Sequence, residues 1–314
     1  MVRQTLLLLL LLPTLGGCSY LWQAGRGQWQ LMHGRQPIDR LLASEQTDVA
    51  LKGRLQEVKS ARDFAVQVLR LPDNNSYRSY RALQRPYVVW NVIAAPEFSV
   101  TPMHWCFPFT GCIAYRGYFR EASARRYAAR LQQQGFDTYV GGVAAYSTLG
   151  KFSDPVLDTM LRYGDAELAG ILFHELAHQL LYVPGDSEFN EAFATSVEEA
   201  GLNAWLGASG RTAELRALAE RRAWQLRGTD LLGAARARLA ALYREKLPPA
   251  QLRARKATAF AELGAALLAL QRESGGAAGG YQVWVDAGLN NAHLAAVATY
   301  QACVPAWQRL QAAA

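Results

Sequence analysis

The chain has 314 residues, 51% hydrophobic and 19% charged, with a formal net charge of +7. That balance excludes a disordered or collagen-like chain and fits a globular protein. The charge is local. Between Arg211 and Lys256, twelve Lys and Arg stand against four acids. The plain reading is solvated faces of amphipathic helices; the sharper one is attraction to acidic lipid headgroups or acidic peptides. No nucleic-acid-binding motif is present, and nucleic acid is not an expected partner.

Residues 1–17 read as a targeting segment. Arg3 gives a positive start, and Leu6 to Leu12 form an apolar run too short to span a bilayer. The segment ends in Leu15-Gly16-Gly17-Cys18. This resembles the bacterial lipoprotein signal, and the resemblance implies cleavage before an acylated Cys18. Ser19 follows, with no Asp to suggest inner-membrane retention. The expected location is the periplasmic side of the outer membrane, with acyl chains as the anchor.

Residues 18–210 are expected to form an α+β region carrying the site, and 211–314 a helical region closing the cleft. Residues 20–70 carry apolar positions at helical intervals, including Leu31, Ile38, Leu41, Leu55 and Val58. Leu71 to Ser76 is a break. Tyr87 to Ala94, rich in β-formers between Pro86 and Pro96, reads as a strand. Cys106 and Cys112 can close a small loop in an oxidising compartment. Pairing of either with Cys303 stays open. Tyr115 to Phe119 reads as a short strand and Glu121 to Gln134 as an amphipathic helix ended by Gly135. Asp137 to Tyr146 reads as strand, Gly-Gly irregularity, strand. Ser153-Asp154-Pro155 looks like the cap of a helix running to Tyr163, and Asp165 like the cap of the next helix.

That next helix holds His174-Glu175-Leu176-Ala177-His178, an H-E-x-x-H pattern. Residues four apart share a helix face, so both imidazoles can meet one metal ion. Glu175 lies beside them, within reach of an activated water. Zinc needs a third protein ligand. Val183-Pro184-Gly185-Asp186 reads as helix stop, tight turn and new cap. His178 lies four residues before the expected helix end at Tyr182, and Glu191 four after the next start near Ser187. At ~1.5 Å rise per residue, both are about 6 Å from the turn, so they face each other. Glu191 is therefore the expected third ligand, with Glu188 and Asp186 as rivals. Asp186 is better used as a cap. Thr195 or Glu198 can reach the free nitrogen of His174 and fix its tautomer.

From 211 to 273 the pattern is long helices, broken near Gly228 and at Pro248-Pro249. After a Gly-rich loop, Tyr281, His293 and Tyr300 are candidates to stabilise a tetrahedral oxyanion, with Tyr300 favoured.

His174 to His178 followed by Asn190-Glu191-Ala192-Phe193-Ala194 resembles the gluzincin metallopeptidases. The resemblance implies His174, His178 and Glu191 as zinc ligands and Glu175 as general base. Twelve residues separate His178 from Glu191, fewer than in the large zinc aminopeptidases of that clan, so the turn must be tight. The wider chain resembles the predicted zinc aminopeptidases of bacterial lipoprotein type. The matching stretches are Trp105 to Pro108 with Gly111-Cys112, Tyr115 to Phe119, Ala145 to Gly150, and the zinc stretch. The resemblance further implies an edge strand beside the zinc helix that holds extended substrate, for which Val143 to Leu149 is the candidate.

The expected fold is α+β and mostly helical, with a zinc helix pair beside a small sheet. The expected activity is zinc-dependent peptide hydrolysis, by an aminopeptidase, on a peptide substrate. The alternative is a non-catalytic zinc-binding envelope lipoprotein, a scaffold or chaperone. Against it, structural zinc sites use four protein ligands and favour Cys, and Glu175 would then have no purpose.

Overall fold

Alternation along one strand organises the small sheet. The structure is a computed structural model; it describes residues 20–107, 111–301 and Trp307, with only the backbone of 298–301. Helix α1 covers 20–32, followed by β1 (Gln36–Pro37), α2 (Ile38–Ala43), α3 (Val49–Gln67), β2 (Ser79–Arg81) and β3 (Val89–Pro96). Then come β4 (Trp105–Phe107), β5 (Gly111–Ile113), β6 (Arg116–Tyr118), α4 (Glu121–Gln133), β7 (Phe136–Val143) and β8 (Val156–Leu157). The helices α5 (Asp165–Leu180), α6 (Ser187–Ala208), α7 (Thr212–Leu242), α8 (Pro249–Glu273), α9 (Gln282–Asp286) and α10 (Asn291–Gln301) complete the order. The chain is thus α+β and mostly helical, as its patterning implies.

Strand β3 is central in an antiparallel sheet of order β6-β3-β7. Successive side chains point to opposite faces. Trp90, Val92 and Ala94 pack with Ala124, Ala128 and Leu131 of α4, while Ile93 packs with Ala292, Ala295 and Ala296 of α10. Strand β7 runs without interruption through Gly141 and Gly142, pairing from Phe136↔Pro96 to Val143↔Val89. The Gly-Gly pair is therefore no irregularity. A Cβ on Gly142 would stand 2.2 Å from the Tyr87 ring, so the glycine makes room for an aromatic.

Three sequence expectations fail beyond β7. Residues 144–149 are a loop, so the substrate-binding edge strand over Val143 to Leu149 is absent. The reason is Asp154, whose carboxylate takes both the backbone N–H of Thr148 (2.8 Å) and its hydroxyl (2.9 Å). That removes a donor a strand ladder would use. Asp154 therefore does not cap a helix, and the expected helix to Tyr163 is instead β8 and a short 3₁₀ turn, Met160–Arg162. Gly164, not Asp165, is the cap of α5; Asp165 lies in the first turn and pairs with Arg54 and Arg211.

The main core joins α3, α5 and α6 through Leu55, Val58, Leu172, Phe173, Leu176 and Trp205. A second core binds α7 and α8 to the segment around α9, through Leu239, Leu263, Leu267 and Tyr281. Helix α7 is continuous through Gly228. The glycine is there because the Tyr281 hydroxyl would lie 2.0 Å from a Cβ at that position. The break at Pro248-Pro249 is real: Pro248 precedes α8 and Pro249 opens it.

Candidate metal centre and its surroundings

Helix α5 has two working faces. Leu168, Leu172 and Leu176 recur every four residues and are buried in the main core. His174 and His178 share the opposite face, turned toward α6. Glu175, three residues after Leu172 and three before His178, stands between the two. The other acids of the helix, Asp165 and Glu167, lie in its first turn.

The turn to α6 is built tightly. Helix α5 ends at Leu180, two residues earlier than its pattern suggested, because Leu181 is extended. Asp186 caps α6 by accepting from Phe189 N–H at 3.0 Å. Asn190 is buried and clasps the turn: its Oδ1 accepts from Val183 N–H (2.7 Å) and its Nδ2 donates to Val183 C=O (2.8 Å). The β4–β5 hairpin leans on the same turn. Cys106 and Cys112 pair across it as a disulfide. Gly111, at φ 72°, lies so near Gly185 that a Cβ would meet its backbone nitrogen at 2.6 Å. Replacing Asn190 by Ala is expected to cost about 1–2 kcal/mol, the loss of two hydrogen bonds that a buried side chain makes to the turn. Denaturant midpoints would show it; an unchanged midpoint would mean that the clasp is dispensable.

Glu191 is the first acid after the clasp, and it arrives opposite both histidines. Its Oε2 lies 3.3 Å from His174 Nε2 and 3.7 Å from His178 Nε2. The two Nε2 atoms are 3.2 Å apart. The three ligand atoms lie within 4.8 Å of one another, a grouping that can hold a metal ion. Glu188 is exposed and Asp186 is the cap, so neither rival joins them. Of Thr195 and Glu198, Glu198 meets His174: its Oε2 is 3.1 Å from Nδ1. Replacing Glu198 by Gln is expected to weaken metal binding about 10–100-fold, as for other outer-shell partners. Chelator competition measures this, and an unaltered affinity would remove Glu198 from the centre.

The charges respond to one another. Burial pulls the His174 imidazole down, but hydrogen bonds to Glu191 and Glu198 outweigh it and raise it well above its usual value. Burial pushes the Glu191 carboxyl up, yet contact with the two imidazoles brings it to about 2. Glu175 is raised by burial, against the pull of both histidines.

Behind Glu175 lies a cluster that sequence reasoning missed. Asn74 donates to Gln179 Oε1 at 2.7 Å, which ties the 74–77 turn to the Glu175 face of α5. Tyr77 follows it with φ 60°, a left-handed backbone that a bulky residue rarely adopts, and is 1% exposed. Among the described residues its hydroxyl has no partner at full hydrogen-bond geometry, although the Ser147 side chain lies beside it. Burial raises the Tyr77 hydroxyl well above its usual value, and the charges of Glu175 and Asp154 add to that. Asp154 is itself lifted to about 6 by burial, despite its bonds from Thr148. Tyr182 is also near: its ring lies 6.5 Å from His178, and burial with the Glu191 charge raises its hydroxyl. The available signal for Tyr77 was only a polar turn, Asn74-Asn75-Ser76.

The oxyanion candidates fare differently. Tyr281 packs on Gly228 and Trp284. His293 is buried between Tyr139 (4.6 Å) and Trp284 (5.5 Å), with burial driving it down to about 4. None of these partners belongs to α5 or α6. The Tyr300 side chain lies outside the described residues, as do Cys18 and Cys303.

Two imidazoles and a carboxylate converging between a pair of helices, with a second carboxylate beside them, define a centre that can hold a metal ion in an α+β frame. The family described as "Putative aminopeptidase" matches residues 19–314, and the chain belongs to that family. No curated protein and no solved structure matches the chain.

Proposed function

We propose that the protein is a zinc-dependent peptidase that removes residues from the free N-termini of peptides. The observation that carries the metal is the spacing of the three ligand atoms; the N-terminal mode follows the family's description. Four ligands placed tetrahedrally at zinc–nitrogen and zinc–oxygen distances stand about 3.3 Å from one another. The separations here are 3.2, 3.3 and 3.7 Å. His174, His178 and Glu191 would hold the ion, and the remaining corner is left for solvent and substrate. Bound zinc supplies Lewis acidity to a peptide carbonyl and to the water that attacks it.

The chain's own groups do the rest. Glu175 accepts the proton of the attacking water and returns it to the leaving amine. Glu198 holds Nδ1 of His174 and so presents Nε2 to the ion. The buried Tyr77 hydroxyl lies within electrostatic reach of Glu175 and contributes its dipole to that carboxylate's surroundings. Replacing Tyr77 by Phe is expected to lower kcat on the order of 10-fold with KM and zinc content kept, as for other outer partners. Equal turnover by the variant would exclude that role.

Export and anchoring complete the reading: residues 1–17 are removed, and an acylated Cys18 holds the protein on the periplasmic side of the outer membrane. The test of function combines metal analysis with cleavage of a peptide library by wild type and by Glu175→Gln. Matched peptides with free and acetylated N-termini report the mode. Zinc-dependent release of N-terminal residues from free peptides alone supports the proposal. Internal cleavage regardless of acetylation would make it an endopeptidase, and no cleavage by a zinc-loaded protein would leave a non-catalytic zinc lipoprotein.

A further inference from the structure

Helix α1 is amphipathic in an unusual sense: both faces carry aromatic residues. Its inner face is fully used. The Tyr20 ring packs on Phe107 (5.7 Å) and Tyr118 (5.6 Å). The Gln23 side chain donates to Gly117 C=O and accepts from Phe119 N–H. Gly27 lies flat against the Phe119 ring, and Leu31 is buried. At 100° per residue, positions 22, 26, 29 and 33 fall on the opposite side. There Trp22 is 66% and Trp29 60% exposed. Among the described residues, these are the tryptophans classed as exposed. Arg26 lies over the Trp22 ring at 5.3 Å, Trp29 stacks on His33 at 4.4 Å, and Leu21 beside them is 63% exposed.

We infer that this outer face of α1 lies in the headgroup layer of the phospholipid leaflet to which the chain is anchored. The inference rests on the reading of Cys18 as acylated. Tyr20 is two residues from Cys18, a reach of about 7 Å at most. Acyl chains at Cys18 therefore hold the first turn of α1 at the bilayer surface. Indole rings, with an apolar body and one N–H, favour that boundary. Arg26 adds a cation for lipid phosphate, and a shallow helix with this composition lies in the interface plane. The tether favours lipid over a protein partner, because it keeps the bilayer permanently within reach. Since α1 is fixed to β6 and Phe119 by its inner face, docking its outer face also fixes how the whole body stands on the membrane.

The test uses the anchored mature protein in vesicles of phosphatidylethanolamine and phosphatidylglycerol. A fraction of the lipid carries bromine high on the acyl chain, which quenches indole emission at that depth. The wild type is expected to lose emission, and the Trp22→Ser/Trp29→Ser variant to lose none. Iodide in the aqueous phase should quench these two residues less once vesicles are present. Equal bromine quenching of both proteins, or quenching of neither, overturns the inference. Mass measurement of the native N-terminus reads the anchor separately. The measurement is repeated with a histidine tag replacing residues 1–19, bound to nickel-chelating lipid. Quenching under the tag with no native acyl group would refute the anchor and keep the surface; an acylated but unquenched wild type would do the reverse.

Discussion

Glu175→Gln is expected to fold, to bind zinc as the wild type does, and to lose peptide hydrolysis by about 10²–10⁴-fold, the usual worth of a positioned acid–base group. The side chain ligates nothing, and its shape is preserved in Gln. It is half-buried between the leucine row and the histidine face of α5, and Gln fills the same space, so packing is untouched. What Gln lacks is a basic carboxylate. Burial raises the Glu175 carboxyl, which makes it a better proton acceptor once ionised. Zinc content, thermal unfolding and turnover on one free-amine peptide settle the matter together. Full turnover with zinc retained would assign the proton transfer elsewhere.

Glu191→Ala is expected to have the largest effect on the centre itself. Two imidazoles would remain, and metal affinity should fall by more than the about 10–100-fold that loss of an outer partner costs. Activity should fall with it. The metal-free wild type carries a further signature. With no ion between them, His174 and Glu191 form a charged pair. Glu191 is held at about 2, below its ordinary 4.5, so its contribution to stability is present above 4.5 and lost as pH falls through about 2. His174 is raised above 6.5, so its contribution is present below 6.5 and lost as pH rises through the raised value. The metal-free protein should therefore gain from this pair between those limits. Zinc must expel the His174 proton, so its affinity should rise with pH across the range where His174 titrates. Isothermal titration in buffers of different ionisation enthalpy counts the protons released. A pH-independent affinity would show that His174 is neutral before the ion arrives.

The parts of the site that were legible in the sequence are those fixed by local geometry. Spacing of four puts His174 and His178 on one face wherever the segment is helical. The short, breaker-rich turn from Val183 to Asp186 forces the next helix to return antiparallel, and the rise per residue then brings Glu191 level. Glu198 follows two turns further along. Helix ends shifted by two residues without harm, because both the turn and the levelling tolerate it. Asn190 was visible as a motif residue, but its clasp on Val183 was not, since that bond depends on how the turn folds back.

Other features turn on contacts between distant segments. Asp154 had every local mark of a helix cap, yet it serves Thr148, and so converts an expected substrate-binding strand into a loop. Gly228 looked like a helix break and is instead a landing for the Tyr281 hydroxyl, more than fifty positions downstream by number. His293 had the chemistry of a catalytic donor and is enclosed by Tyr139 and Trp284. Tyr77 had only the polar turn before it as a mark, and packing buried its hydroxyl within reach of the Glu175 charge. The sequence by itself determined the helix pair and the meeting of His174, His178 and Glu191, because periodicity and chain stiffness act over a few residues. Only the tertiary structure decided which polar groups stand around them, because burial and hydrogen-bond satisfaction are settled among segments that meet only when the chain has folded.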